Sequence, residues 1–236
     1  MKENNWFDPF YIQIHLSEEE SNIQKNVRNF CNNELKPTVV ERNRKNEFDQ
    51  DLYPKFGSLG VLGQTVKTHG GSGTSNLAYG LVAYEFEKID SSYRSSISVQ
   101  SSLVIHPINE FGSQEQKDKY LPKLIKGEKI GCFGLTESEA GSDPASMKTS
   151  FKKNKDGYIL NGSKNWITNA PIADIFIIWA KSDTDDGKIR GFIIERGAKG
   201  LQTSKIDGKL SMQSVDTYIT CIYHLIDWPE WAICAI

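Results

Sequence analysis

The sequence predicts an α+β protein in which an N-terminal all-α helical domain is followed by an antiparallel β-barrel domain. Up to about residue 130 the apolar residues recur at helical spacing, and after residue 131 they form short strand-like runs. Turn residues, Asp-Gly among them, separate those runs. We therefore place the helical domain at residues 1–130, the barrel at residues 131–212 and a divergent tail at residues 213–236.

The helical domain is predicted from capping residues and from one-sided apolar patterns. Ser17 and Glu20 form a capping-box pair, which starts a helix that extends to about Leu35, just before a proline. Further helices are marked by apolar residues at helical spacing. These are Leu77, Leu81 and Tyr84 for the second, Ile97, Leu103, Val104 and Ile108 for a buried third, and Leu121, Leu124 and Ile125 for a fourth that begins at Ser113.

The barrel is predicted from two pairs of strand-like runs. "SFKKN" and "YILNGSK" flank the turn Lys155-Asp156-Gly157, and "DIFIIWAKS" and "IRGFIIERG" flank the polar turn "DTDDGK". No helical pattern lies between these runs. The spacing therefore favours an antiparallel barrel or sandwich over a parallel sheet.

Composition excludes several classes of function. Lys and Arg number 28 against 30 Asp and Glu, so the net charge of −2 offers no polycationic surface for nucleic acid or for an anionic membrane. The four cysteines form no C-x-x-C pair, which predicts a reducing compartment and no metal site. No apolar run has membrane-spanning length, and the N-terminus resembles neither a signal peptide nor a transit peptide.

One polar stretch, "FGLTESEAGSDPASM" at residues 133–147, lies where helices give way to strands. Thr136 and Ser142 supply hydroxyls, and Gly134 and Gly141 allow backbone N–H groups to approach a flat or anionic ligand. Crevices between domains are preferred ligand sites. The alternative is a polar loop whose Ser, Asp and Gly residues only satisfy turns.

A second stretch, "NGSKNWITNAPIADIFIIWA", places Trp166 and Thr168 at the end of a hairpin strand. An indole face and a hydroxyl at one place suit an isoalloxazine ring, which offers a stacking surface and a polar edge. The alternative is a tryptophan packed in the barrel and a threonine chosen for the strand.

Together, "FGLTESEAGSDPASM" and the following "LNGSKNWITNAPIAD" resemble the acyl-CoA dehydrogenase flavoprotein family, and "DSSYRSSISVQSSLVIHPINEFGSQEQKDKYLPKLIKGE" is similar to its glutaryl-CoA dehydrogenase members. The likeness extends from about Trp6 to about Lys209. It implies an oxidoreductase that oxidises glutaryl-CoA with FAD, decarboxylates it to crotonyl-CoA and passes electrons to an electron-transfer flavoprotein. The implied FAD contacts are Phe133, Gly134, Leu135, Thr136, Glu137, Gly141 and Ser142 in the first stretch and Trp166, Ile167 and Thr168 in the second.

The resemblance also implies substrate contacts. Arg94 and Ser95 match the residues that hold the distal carboxylate of glutaryl-CoA, and a guanidinium fork suits a carboxylate. Ser142 matches a residue beside the acyl-CoA. From the residues alone, Arg94 would instead be a surface arginine paired with Asp90 at helical i, i+4 spacing.

No catalytic residue is assigned, because the family's catalytic Glu lies on a C-terminal four-helix bundle that has no counterpart here. The barrel tail also departs from the family pattern, with Gln213 and Val215 at two motif positions. We therefore expect an incomplete, inactive chain that holds FAD weakly or not at all. Glu85 and Glu87 belong to a helix and are expected to be solvated or paired, and His69 and His106 have no recognisable partner in the sequence, so none of the four is assigned as a substitute base.

Two further hypotheses stay open at this point. One is a non-catalytic fragment that keeps part of the flavin and acyl-CoA surface, or that only associates with full-length subunits. The other is a product with no stable fold. The resemblance implies a homo-oligomer and, in a eukaryote, the mitochondrial matrix, although no transit peptide is visible; otherwise the chain is expected in the cytoplasm.

Overall fold

The helical part of the chain occupies its first 130 residues. The structure is a computed structural model that describes residues 8, 10–155, 157–184, 187–206, 209, 212, 217–228 and 233–234. The α-helices are α1 Glu18–Phe30, α2 Val39–Lys45, α3 Leu52–Ser58, α4 Asn76–Glu87, α5 Ser91–Ser98, α6 His106–Phe111 and α7 Gln114–Ile125. A 3₁₀ turn at Ile12–His15 precedes α1. A π-helical turn at Cys31–Leu35 extends α1, and another at Val99–Ile105 joins α5 to α6.

The predicted helix starts at Ser17 and Ser113 are confirmed. The Ser17 hydroxyl accepts the backbone N–H of Glu20 at 3.2 Å, and the Glu20 carboxylate accepts the N–H of Ser17 at 3.0 Å. Ser113 and Gln116 form the same reciprocal pair at the start of α7. Each pair satisfies two backbone donors that the first turn of a helix leaves unpaired.

The apolar residues that predicted α4 and the buried third helix do not all face the core. Leu81 is buried, but Leu77 and Tyr84 are 47% and 49% exposed, and on the next helical segment Leu103 is 37% exposed. The segment "NLAYGLVAYEFE" carries apolar residues on most sides, so its pattern does not single out one face. The residues that α4 buries are Ala78, Leu81, Val82, Glu85 and Phe86.

The second part of the chain is a curled sheet, as predicted. The strands are β1 Gly131–Gly134, β2 Ser150–Lys153, β3 Tyr158–Thr168, β4 Ile175–Ser182, β5 Ile189–Glu195, β6 Leu201–Lys205, β7 Thr217–Trp228 and β8 Ile233–Cys234. The hairpins β2–β3 and β4–β5 are confirmed, and the order of the paired strands is β6-β7-β3-β2-β4-β5-β8. Two pairings along β4 are parallel, those with β1 and with β2.

Strand β7 lies beyond residue 212, where the sequence suggested the end of the barrel. It pairs antiparallel with both β3 and β6. The sheet therefore includes part of the segment that the sequence assigned to a divergent tail.

The helices pack against one face of the sheet in a shared hydrophobic cluster, and the sheet has a second cluster of its own. Ile175 and Ile177 of β4 belong to the same buried cluster as the helical residues. At the junction, the buried amide of Gln100 accepts the N–H of Gly131 at 2.8 Å and donates to the carbonyls of Leu124 and Lys129 at 2.9 Å each. This packing fixes where β1 begins, and therefore where the loop after β1 emerges. Within the described ranges, no helix is long and apolar enough to cross a membrane.

Candidate functional site

The loop at residues 133–147 leaves β1 beside the helical core. The ring of Phe133 contacts that of Trp179 edge to face, with 5.9 Å between centroids. A Cβ on Gly134 would lie 2.6 Å from Cδ1 of Ile178, whereas a Cβ on Gly141 would meet no atom within 4 Å. A side chain at Gly134 would therefore press on Ile178 within the sheet, so packing inside the protein favours glycine at this position.

A buried ion pair anchors this loop. Nζ of Lys164 on β3 lies 2.7 Å from Oε1 of Glu137 and also donates to the carbonyl of Leu135 at 3.0 Å. The Lys164 side chain is fully buried and that of Glu137 is 9% exposed. The Glu137 carboxylate also accepts the backbone N–H groups of Lys148 and Thr149, at 2.7 and 3.0 Å.

These contacts shift the pKa values of both members of the ion pair. Burial alone raises the pKa of the Glu137 carboxyl, but hydrogen bonds from Lys164, from Thr149 and from backbone N–H groups outweigh it and lower that pKa to about 2. Burial also lowers the pKa of the Lys164 ammonium, opposed by its bond to Glu137. The Glu137 carboxyl is therefore ionised at neutral pH, with Nζ of Lys164 as its hydrogen-bonded partner.

The stretch at residues 161–180 contacts the loop at residues 133–147 beside this ion pair. The N–H of Asn165 donates to the carbonyl of Thr136 at 2.8 Å, so the end of β3 is joined to the loop. Trp166 follows with a left-handed backbone, φ 61°, and its side chain is 56% exposed. Within the described residues, the hydroxyls of Thr136, Ser142 and Thr168 have no hydrogen-bond partner.

The arrangement fits the isoalloxazine ring that the sequence predicts. It combines an uncovered indole face with free hydroxyls on two adjoining segments, which is what stacking and edge recognition of a flat heterocycle need. Two of the predicted contacts are oriented inward, since Ile167 is 2% exposed and the Glu137 carboxylate already has protein donors. All the assigned FAD contacts stay predictions.

Arg94 has a different partner from the one that helical spacing suggested. Its Nε lies 2.8 Å from Oε2 of Glu87 at the end of α4, and the two side chains are 36% and 45% exposed. Asp90 instead caps α5, where it accepts the N–H of Ser92 at 2.8 Å. The alternative of an Arg94–Asp90 pair is therefore wrong, because the cap engages that carboxylate.

Glu87 is the residue of this region whose contact the sequence did not reveal. A hydrogen bond from Ser91 and then the contact with Arg94 lower the pKa of its carboxyl. The separation of seven residues across a helix break carries no periodic signal. Only Nε of Arg94 is engaged within the described residues, so its terminal nitrogens form an unoccupied fork. Ser95, the other predicted carboxylate contact, is 8% exposed.

Two of the other candidate bases have charged partners within the described residues. Glu85 is 2% exposed and lies 2.8 Å from Arg28, and His69 contacts Asp118 at 2.9 Å. Across the described ranges, no group of three or more His, Cys, Asp or Glu side chains is placed to hold a metal ion.

Comparison with known families identifies the chain. The family profile "Acyl-CoA dehydrogenase, N-terminal domain" matches residues 17–128, and "Acyl-CoA dehydrogenase, middle domain" matches residues 132–223. The chain therefore belongs to the acyl-CoA dehydrogenase family, of which it carries these two domains. The middle-domain match also includes the first half of β7.

Individual relatives agree with this assignment. The chain is 41% identical over 209 residues to the mitochondrial isovaleryl-CoA dehydrogenase of Pongo abelii, covering 86% of this chain and 49% of that protein. It is 38% identical over 209 residues to the short-chain specific acyl-CoA dehydrogenase of Clostridium acetobutylicum, covering 87% and 55%. The chain thus spans about half the length of the curated relatives it matches.

Solved structures show the same fold. A glutaryl-CoA dehydrogenase from Mycobacterium smegmatis in complex with FADH2 superimposes with a TM-score of 0.92 at 38% identity, covering 95% of this chain and 57% of that one. A glutaryl-CoA dehydrogenase in complex with glutaryl-CoA gives a TM-score of 0.89 at 32% identity, with 94% and 57% covered.

Proposed function

We propose that this chain provides the FAD-binding and acyl-CoA-binding surfaces of an acyl-CoA dehydrogenase of the glutaryl-CoA type. The observation that carries the proposal is the junction of the two sequence stretches. Asn165 bonds to Thr136 and Lys164 to Glu137, so the loop and the strand end are held together with Trp166 uncovered beside them.

FAD, when bound, would accept the hydride removed from the β carbon of the acyl group. The residues of this chain would position the ring for that chemistry. Trp166 offers its indole face, and the hydroxyls of Thr136 and Thr168 can donate to the polar edge. The Glu137–Lys164 pair keeps the loop in place, so these donors are preorganised before a ligand arrives.

The glutaryl-CoA assignment rests on Arg94. Its fork is open within the described residues, and Glu87 holds the guanidinium through Nε, which leaves the terminal nitrogens free for a bidentate contact with a carboxylate. Ser95 lies next to it on the same helix, and Ser142 of the loop would lie beside the acyl-CoA. A monocarboxylic acyl group needs no such clamp.

The residues described here account for binding of FAD and acyl-CoA, and none of them is assigned as the catalytic base. Decarboxylation to crotonyl-CoA, electron transfer to an electron-transfer flavoprotein and homo-oligomer formation are proposed for the whole protein. Its compartment would be the mitochondrial matrix in a eukaryote and the cytoplasm in a bacterium, since the relatives include proteins of both kinds of organism.

An FAD titration tests the proposal. We expect the purified chain to quench flavin fluorescence on titration, with weak affinity, and to lose FAD on gel filtration. Trp166→Ala should weaken binding about fivefold through the lost ring contact. Tyr84→Ala, an exposed aromatic on α4, is the matched control and should leave binding unchanged. No quenching at millimolar FAD would overturn the proposed flavin surface, and stoichiometric FAD after gel filtration would contradict weak retention.

A further inference from the structure

A cavity of about 360 Å³ lies between helix α7 and the adjacent ends of strands β4 and β5. Lys119 and Lys123, four residues apart on α7, line one side of it. Ile175 and Glu195, which are paired neighbours on β4 and β5, line the other. Its volume lies in the range of small-molecule sites, and none of its lining residues is among the predicted flavin or acyl-CoA contacts.

Both carboxylates at the cavity already have a cationic partner. Nζ of Lys129 lies 2.6 Å from Oδ1 of Asp174, whose Oδ2 accepts the N–H of Ile130 at 2.9 Å. Nζ of Lys119 lies 2.6 Å from Oε1 of Glu195. These two acid–base pairs therefore add no net charge to the wall of the cavity.

A buried hydroxyl fixes one of these pairs in place. Tyr120 is 4% exposed, and its hydroxyl donates to Oε1 of Glu195 at 2.9 Å. Burial raises the pKa of Tyr120 to about 12, so the phenol remains a donor at neutral pH. The contact holds the Glu195 carboxylate against the wall, where Lys119 neutralises it.

Two further cations at the cavity have no carboxylate partner in the described part of the chain. Nε and Nη2 of Arg196 donate to three backbone carbonyls at 2.5 to 2.8 Å, those of Ala170, Pro171 and Ala173. Across the described ranges, neither Nη1 of Arg196 nor Nζ of Lys123 has a hydrogen-bond partner. A guanidinium bonded only to neutral carbonyls keeps its whole charge, so the cavity carries an excess of two positive charges.

We propose that this cavity binds a phosphate monoester through Lys123 and Arg196. Such a group carries about −1.5 to −2 charge at pH 7, which matches the excess positive charge, whereas a single carboxylate matches half of it. Its oxygens can accept from an ammonium and from a guanidinium N–H at the same time. The rest of the cavity has room for the organic part of a small metabolite. The inference does not rest on the proposed function.

Each of the two cations also has a structural role that needs no ligand. Lys123 lies in the last turn of α7, where a positive charge offsets the negative end of the helix dipole. Arg196 holds the turn at residues 170–173 through its carbonyl contacts. Neither role requires the two cations to act on one anion, so a binding measurement separates the proposal from them.

Calorimetric titration of the chain with glycerol 3-phosphate at about 150 mM NaCl, which screens distant charges, tests the proposal. We expect one site with a millimolar or tighter Kd. Lys123→Gln should raise this Kd about tenfold through the loss of a charge-assisted hydrogen bond. Lys126→Gln removes the same charge from an exposed lysine at the end of the same helix, outside the cavity lining, and should leave the Kd unchanged.

The fold should survive the test substitution. Lys123 is exposed and its ammonium has no partner in the part of the chain that the structure describes. Urea denaturation of Lys123→Gln should therefore match that of wild type, and a lost affinity would then report the ligand contact.

Two further ligands identify the chemistry that the cavity recognises. Inorganic phosphate should bind several-fold more weakly than glycerol 3-phosphate, because it lacks the organic part. Succinate, a dianion whose two charges lie at opposite ends, should bind about tenfold more weakly. Equal affinity for inorganic phosphate would overturn the monoester and assign the cavity to the free anion. Succinate binding as tight as that of glycerol 3-phosphate, equal effects of Lys123→Gln and Lys126→Gln, or no heat from either phosphate at millimolar concentration would overturn the site itself.

Discussion

Two ion pairs in this molecule each join a glutamate to a basic residue, but they differ in solvent exposure. Glu137 and Lys164 meet under the loop after β1, with 9% and no exposure, and protein donors saturate the carboxylate. Glu87 and Arg94 meet at the junction of α4 and α5, where both are more than a third exposed. The first pair has no capacity left for a ligand, whereas the second keeps an open guanidinium fork.

The difference distinguishes support from recognition. A saturated buried pair fixes a backbone, because the removal of either partner leaves an uncompensated charge. A half-exposed pair contributes little to folding and can exchange contacts when a ligand arrives. The buried pair should therefore control stability, and the open pair should control which ligand is bound.

Loss of the buried ammonium should produce the largest effect. We expect Lys164→Met to lower the free energy of unfolding by about 3–5 kcal/mol, because the Glu137 carboxylate then stays buried without a counter-charge. Urea denaturation followed by circular dichroism measures this change. Addition of Glu137→Gln to the Lys164→Met variant should restore part of the loss. A loss under about 1 kcal/mol for Lys164→Met would show that the pair is not buried in solution.

Acid should weaken the same pair. The pKa of Glu137 is about 2 in the folded chain against an ordinary 4.5, so its contribution is fully present above pH 4.5 and is lost as the pH falls towards 2. The shift corresponds to about 3 kcal/mol. Unfolding free energies measured between pH 6 and pH 2 should fall less steeply for Glu137→Gln than for wild type. Parallel curves would contradict the assigned pKa.

Loss of the open fork should change ligand preference instead of stability. We expect Arg94→Gln to weaken glutaryl-CoA binding by about 2 kcal/mol, or about thirtyfold, and to leave butyryl-CoA nearly unaffected. The ratio of the two dissociation constants cancels general damage to the fold. An unchanged ratio would reduce Arg94 to a surface residue and remove the support for a dicarboxylic substrate.

The smallest effect is expected from the exposed carboxylate. Glu87→Gln should change the free energy of unfolding by less than about 1 kcal/mol, because both partners are more than a third exposed and water screens their attraction. Urea denaturation under the conditions used for Lys164→Met makes the two regions directly comparable. If Glu87→Gln lowered the free energy of unfolding by several kcal/mol, the Glu87–Arg94 pair would stabilise the fold as the Glu137–Lys164 pair does, and the distinction between them would be wrong.

Local signals in the sequence predicted much of the fold. The capping pair of Ser17 and Glu20 located one helix start because the two residues lie three apart, and the predicted start at Ser113 was confirmed as well. Both predicted hairpins were confirmed for a similar reason, since a short turn fixes the pairing of adjacent strands. The α2 and α3 helices were not predicted. Each has only seven residues, too few to show a clear repeat.

Contacts between distant segments were beyond local reasoning. The parallel pairing of β1 with β4 and the bond between Lys164 and Glu137 join residues far apart in the chain. The site was therefore predicted through family resemblance, which identified the stretch but not the burial of its lysine. Spacing suggested Asp90 for Arg94, yet the cap of α5 already used that carboxylate. The i, i+4 spacing of Asp90 and Arg94 does not show that another group already binds the Asp90 carboxylate.

The backbone of Trp166 has a consequence for the thermodynamics of association. A residue other than glycine at φ 61° is about 1–2 kcal/mol less stable than in the ordinary regions. The surrounding strand and the bond between Asn165 and Thr136 hold it there before any ligand is present. The entropy of ordering this segment is therefore lost when the chain folds, and a ring that stacks on the indole has no backbone left to order.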